Sequence, residues 1–191
     1  MSNEYKRVTI ANYGAISKIE DVVIVEPTVH YDNRGENVET FCAKYYKMMF
    51  SPNEDFRDSV TGPGKTFIVD SVSVSTKNVI RGLHGDNKTW KLIQCLKGSI
   101  YVVVLDVRKQ SPTYKHYDKF YINDKNRHQI LIPPGCVNGH LCLSDECIFH
   151  YKLTEEYLPP EEQISIKWDD PEYNISWPIS KTNSILSDRD R

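Results

Sequence analysis

The fourteen residues from Asn78 to Lys91 read Asn-Val-Ile-Arg-Gly-Leu-His-Gly-Asp-Asn-Lys-Thr-Trp-Lys. An arginine, a histidine, an aspartate and two lysines are crowded together, with Gly82 and Gly85 on either side of His84. Folding alone does not require this mixture. A histidine exchanges protons near neutral pH, and neighbouring cations suit an anionic ligand. The other reading of the stretch is a charged hairpin carrying a solvated histidine. Further along, Val137-Asn-Gly-His140 places Asn138 and His140 on one face of a strand, and Phe149-His-Tyr-Lys152 places Tyr151 on the face opposite His150. Strand aromatics such as Tyr151 more often fill a core than do chemistry.

These side chains need strands to hold them. Val69 to Ser75 alternates apolar and small polar residues before the charged stretch, and Leu92 to Leu96 follows it. Strict alternation sets Arg81 and His84 on opposite faces, so a bulge at Gly82 is needed for both to serve one site. Asp21 to Glu26 and Glu36 to Phe41 read as short strands around the turn Tyr31-Asp-Asn-Arg-Gly35. Ala43 to Met49 suits a short helix, and Ser51 to Lys65 a polar loop. Ile100 to Val107 is a continuous apolar run suited to a strand buried on both faces. Lys115 to Ile122 fits an outer strand, and Gln129 to Ile132, Val137 to Leu143 and Cys147 to Leu153 complete the set. Short strands punctuated by Gly and Pro predict an all-β sandwich or jelly roll rather than a βαβ fold. Beyond Leu158, Pro159, Pro160, Pro171 and Pro178 favour an extended tail packed on the barrel.

A chain of 191 residues suits one domain, here a core with an arm over 1–65 and an extension over 158–191. With 24 basic and 26 acidic residues the net charge is −2, which gives no basic bias toward nucleic acid or a membrane surface. The sequence contains no apolar run of membrane-spanning length, and Met1 to Tyr13 lacks the apolar segment of a signal peptide. A cytoplasmic location is therefore expected. The five cysteines are odd in number and form no Cys-x-x-Cys pair, which argues against a disulfide framework or zinc knuckle.

Seven runs, in order, resemble the dTDP-4-dehydrorhamnose 3,5-epimerase family of cupins. They are Val79-Ile-Arg-Gly-Leu-His84, Lys91-Leu92, Leu105-Asp-Val-Arg-Lys-Gln-Ser-Pro-Thr113, Ile132-Pro-Pro-Gly135, Trp168-Asp-Asp-Pro171, Trp177-Pro178 and Leu186-Ser-Asp-Arg-Asp190. The resemblance spans roughly Ile24 to Asp190. Two departures stand out. Val137-Asn-Gly-His140 occupies the place of the family's Ala-His-Gly-Phe, and Gly85-Asp86 the place of an aromatic. Both resemble the branch that acts on GDP-linked 4-keto-6-deoxy-heptoses in bacterial capsule synthesis.

The resemblance implies a cupin double-stranded β-helix, or jelly roll, that exchanges N-terminal strands in a homodimer. It also implies epimerisation at C3, C5 or both of a nucleotide-diphosphate 4-keto-6-deoxy sugar, with no cofactor and no metal. His84 is then the base, with Asp190 at its other ring nitrogen, although a penultimate residue can equally be frayed. Tyr151 is the acid, and Lys91 meets the enolate oxygen. Arg81 contacts the diphosphate. Asn138 holds the place of the family histidine, and His140 either contacts the substrate or is a satisfied strand histidine. Arg34 and Glu39 reach into the partner subunit's site. Val69 and Ser71 stand where the family contacts the base.

Three rival readings compete. A metal-dependent cupin dioxygenase needs a His-x-His pair, which Gly85-Asp86 after His84 denies. A sugar-nucleotide 3,4-ketoisomerase shares the fold and substrate type. A non-catalytic carbohydrate-binding cupin is expected to lack His84 or Tyr151, and both are present.

Overall fold

The computed structural model describes residues 17–43 and 66–191. The expected helix after Ala43, the polar loop to Lys65 and the polar N-terminal stretch lie outside them. The described residues form twelve strands. They are β1 (Val23–Val25), β2 (Val29–Asp32), β3 (Gly35–Val38), β4 (Val69–Thr76), β5 (Ile80–Gly85), β6 (Lys91–Lys97), β7 (Ser99–Asp106), β8 (Tyr117–Asn123), β9 (Gln129–Ile132), β10 (Cys136–Cys142), β11 (Glu146–Leu153) and β12 (Ile164–Ser165). One antiparallel sheet runs β1-β9-β6-β11-β4 and a second β12-β5-β10-β7-β8, while β2 and β3 make a separate hairpin. This is the expected jelly roll, of the cupin kind.

Apolar periodicity accounts for the layers. Ile93, Cys95 and Phe149 of the first sheet meet Val102, Val104 and Ile122 of the second in one buried cluster between the sheets. β7, which has no polar side until Asp106, is buried along nearly its whole length. Its other face packs with Leu83, Val137 and Leu141 under the C-terminal segment, which contributes Trp168 and Trp177. That segment is largely extended, as its prolines require, and its β12 pairs with β5. Cys95, Cys136, Cys142 and Cys147 are buried free thiols.

Of the two readings of the charged stretch, the hairpin with a solvated histidine fails. The stretch is not a hairpin between two strands: residues 80–85 are themselves a strand, and β4 and β6 both flank β11 instead of pairing with each other. Ile80, Leu83 and Gly85 are buried, and β5 is paired on both sides, by β10 and by β12. Apolar burial and ladder pairing outweigh the charged residues.

The bulge expected at Gly82 is present. Asn138 pairs with His84 and His140 with Arg81, so two residues of β5, Gly82 and Leu83, stand opposite the single Gly139. One extra residue returns Arg81 and His84 to the same side of the sheet. Gly82 has φ +109°, and a Cβ there would lie 2.6 Å from the Asn138 carbonyl oxygen and 2.7 Å from Gly139 Cα. Only glycine fits both conditions.

Gly82→Ala is therefore expected to destabilise the fold by about 1–3 kcal/mol, from strain and overpacking against backbone. Chemical denaturation of the two proteins measures the difference. An unchanged midpoint with unchanged activity would show that the bulge tolerates a side chain.

Candidate active site

A cavity of about 320 Å³ opens between the sheets, and both sheets furnish its chemistry. His84 on β5 and Asn138 and His140 on β10 enter from one sheet; Lys91 on β6 and Tyr151 on β11 enter from the other. Arg81, from beyond the bulge, lines the same space. Its Nε donates to Ser75 Oγ at 2.9 Å and its Nη2 to the Val74 carbonyl at 3.2 Å, so the guanidinium is tied to the edge strand β4.

His84 Nε2 lies 2.8 Å from Asp190 Oδ1. Asp190 is buried, and its Oδ2 accepts from Ser187 Oγ at 3.0 Å. The penultimate residue is thus an anchored one. The C-terminal segment carries it there along a backbone bridge between Val79 and Ile185. With Nε2 turned to the carboxylate, Nδ1 is the ring nitrogen left to take a proton, and Asp190 stabilises the imidazolium that results. Burial pushes the His84 pKa down, Asp190 pulls it up, and Arg189 and Lys91 push it down again; the balance lies below 6.5. His84 is therefore neutral, and able to act as a base, at neutral pH.

Lys91 lines the cavity from β6. Its Nζ donates to the His84 carbonyl at 2.9 Å and to Asn138 Oδ1 at 3.2 Å. An ammonium has three N–H groups, so one remains to point at a ligand oxygen. Burial lowers the Lys91 pKa to about 8, with Asp86 opposing. Asp86 also shapes the approach to Lys91, since its Oδ1 accepts from the amides of Lys88 at 2.8 Å and Thr89 at 2.7 Å.

Tyr151 shares its face with Phe149, the ring centroids 5.6 Å apart, and Phe149 is stacked on His140 at 4.1 Å. His150 points to the other side, where Nδ1 meets Gln94 Nε2 at 2.7 Å and Nε2 lies 2.5 Å from Asp70. Its role is structural, as the alternation along β11 requires.

The structure brings together His84, Lys91, Arg81, Asn138, His140, Tyr151 and Asp190. It does not bring Arg34, Glu39 or Ser71 to the same cavity. Arg34 is held by Asp32 in the β2–β3 turn at 2.6 Å, with its side chain 85% exposed. Ser71 pairs across from Tyr151, but the residue of β4 that lines the cavity is Ser73. Arg189, Tyr157 and Gln163 also line it and are absent from the sequence reading. Arg189 Nη2 donates to Gln163 Oε1 at 2.6 Å and to Ser165 Oγ at 3.2 Å. Its position beside Asp190 in the charged tail was the available signal.

An imidazole paired with a buried carboxylate, and a phenol and an ammonium from the facing sheet, give one cavity the groups that an acid–base isomerase on a jelly roll needs. The comparisons with known proteins agree. The family model described as dTDP-4-dehydrorhamnose 3,5-epimerase matches residues 17–191. The chain is 37% identical over 178 residues to the dTDP-4-dehydrorhamnose 3,5-epimerase of Methanothermobacter thermautotrophicus, covering 92% of this chain and 89% of that protein. It resembles the crystal structure of dTDP-6-deoxy-D-glucose-3,5-epimerase from Legionella pneumophila in complex with dTDP-4-keto-L-rhamnose. There the TM-score is 0.79 and the identity 33%, over 91% of this chain and 87% of that one. It is also similar to ChmJ, a 3'-monoepimerase from Streptomyces bikiniensis in complex with dTDP-quinovose, at TM-score 0.78 and 27% identity over 91% and 82% of the two chains. The chain belongs to the dTDP-4-dehydrorhamnose 3,5-epimerase family and is an enzyme of the isomerase class. No helix among the described residues is long and apolar enough to cross a membrane.

The two shifted groups set an expected pH profile. A base must be neutral, so kcat/KM should rise with pH as His84 loses its proton, with an apparent pKa below 6.5. It should fall again near pH 8 as Lys91 loses the charge that faces the developing oxyanion. Arg189→Gln removes a cation and should move the acid limb to higher pH. An acid limb centred above 6.5 in the wild type would remove His84 from the role of base.

Proposed function

We propose that the protein inverts C3, C5 or both of a nucleotide-diphosphate 4-keto-6-deoxy sugar through an enolate. The single observation that carries this reading is that His84 and Tyr151 line one cavity from facing sheets, with Lys91 in the same lining. The hydrogens of C3 and C5 are acidic because the C4 ketone can accept the electron pair. His84 takes one of them, the C–H pair becomes the enolate double bond, and the oxygen takes the negative charge beside Lys91 and Asn138. Tyr151 returns a proton to the opposite face of the same carbon and recovers its own from water. Arg81 holds the diphosphate. Relatives named as a 3,5-epimerase and as a 3'-monoepimerase support inversion at one or both centres. Product analysis separates this reaction from a 3,4-ketoisomerase, which moves the carbonyl. Val69, Ser71, Asn138 and His140 depart from the family pattern; they support a GDP-linked heptose beside the dTDP-linked hexose, and turnover of the two sugars compared side by side distinguishes them.

His84→Asn is expected to abolish both deuterium wash-in and product formation in heavy water. Tyr151→Phe should leave wash-in with retention while inversion falls by on the order of 10²- to 10⁴-fold. Equal loss of both signals in Tyr151→Phe, with substrate binding intact, would place Tyr151 in enolisation itself and end the two-face assignment.

The working unit is a homodimer in which the N-terminal arm crosses to the partner. The β2–β3 hairpin is largely exposed, and a lone two-stranded hairpin is marginal in water. Its ties to the body include the Glu36–Arg127 pair and the bond from Gln129 Nε2 to the Thr40 carbonyl at 2.8 Å. The edge strand β4 exposes Val72 and Val74, with Ile68 just before it, an apolar row suited to a second copy. Arg34 and Glu39 then complete the partner's cavity. Mixing inactive His84→Asn subunits with Arg34→Ala subunits should restore about a quarter of wild-type activity, from one intact site in each mixed dimer. No recovery on mixing, with exchange of subunits demonstrated, would sink the shared site.

A further inference from the structure

His140 lines the cavity and takes no part in the steps proposed above. Its side chain is 3% exposed, and its Nε2 has no hydrogen-bond partner among the described residues. A buried imidazole nitrogen left unpaired is unfavourable, and a ligand that pairs with it recovers that loss. The ring lies flat on Phe149, 18° from parallel, so its orientation is set before any ligand arrives.

Its place along β10 indicates what it meets. Asn138, bound to Lys91, marks the ketone end of the cavity. His140 lies two residues on, about 7 Å along an extended strand. Its cross-strand neighbour on β5 is Arg81, the group assigned to the diphosphate. A pyranose ring spans that interval, with C4 at one end and C1, which bears the phosphate, at the other. The carbon between C3 and C1 is C2.

The ligand group must also be neutral. Burial, reinforced by Arg81, lowers the His140 pKa to about 3. Such a ring meets a ligand as a neutral hydrogen-bond partner, and a hydroxyl, which both donates and accepts, matches either tautomer. A phosphate would be served by the guanidinium beside it.

We infer that His140 is a specificity-determining residue that hydrogen-bonds the C2 hydroxyl of the sugar. This rests on the epimerase reading of the site. The position is occupied by Phe in the family pattern, so His140→Phe removes the nitrogens and keeps the stack.

The test is calorimetric binding of dTDP- and GDP-linked 6-deoxyhexoses, their 2-deoxy counterparts, and bare dTDP and GDP. Wild type should bind the 2-hydroxy sugar about tenfold more tightly than the 2-deoxy sugar. His140→Phe should bind both at the 2-deoxy level, with affinity for the bare nucleoside diphosphate unchanged. Equal weakening of sugar nucleotide and bare nucleotide would assign the contact to phosphate and overturn the proposal. So would an unchanged preference for the 2-hydroxy sugar in the variant. Should His140→Phe fail to fold, the wild-type comparison decides alone: no preference for the 2-hydroxy sugar refutes it. Binding is read without turnover, so loss of deuterium wash-in in the wild type would fault the epimerase reading separately.

Discussion

The site depends on the close approach of two strands at Gly82 and Gly139. A Cβ on Gly82 would meet the Asn138 carbonyl and Gly139, and one on Gly139 would lie 2.9 Å from the Arg81 carbonyl oxygen. With neither present, β5 fits one extra residue into its ladder with β10. That single insertion changes the parity of the strand. Without it, Arg81 and His84 face opposite sides of the sheet, one in the cavity and one away from it. A backbone event with no chemistry of its own thereby puts a guanidinium and an imidazole in one cavity.

Around this bulge the charges are balanced by burial. Three cationic or ionisable groups, His84, Lys91 and Arg189, share one cavity with the buried carboxylate of Asp190. Arg189 makes protonation of His84 and of Lys91 harder, Lys91 does the same to His84, and burial is the largest cost for both. His84 is left neutral and Lys91 titrates near the top of the neutral range. Between those two values a neutral proton acceptor and a charged ammonium share one cavity.

The two ends of the chain serve the site in different ways. The C-terminal segment covers the outer face of the second sheet with Trp168 and Trp177, and this burial fixes the path that delivers Arg189 and Asp190. The N-terminal hairpin buries little of itself and carries Arg34 away from the cavity of its own subunit. One end is therefore part of the core, while the hairpin at the other stays largely exposed.

The amino-acid sequence by itself determined the fold class, because period-two patterns and Gly/Pro turns are local and the buried β7 run has no polar side. It also singled out His84 and Lys91, through a charged mixture that a core does not require, whereas Tyr151 stood out only through the family resemblance. Residue types alone left the stretch around His84 open between a charged hairpin and a strand, since charged residues mask the burial of Ile80 and Leu83. The register at Gly82 required the opposing Gly139, which is far away in the chain. Asp190 was placed beside His84 by the resemblance alone, because the contact joins residues more than a hundred positions apart and nothing local separates it from a frayed tail. The unpartnered nitrogen of His140 belongs to the same category. Whether a strand histidine is satisfied depends on every surface that packs on it, and that is decided only when the sheets close.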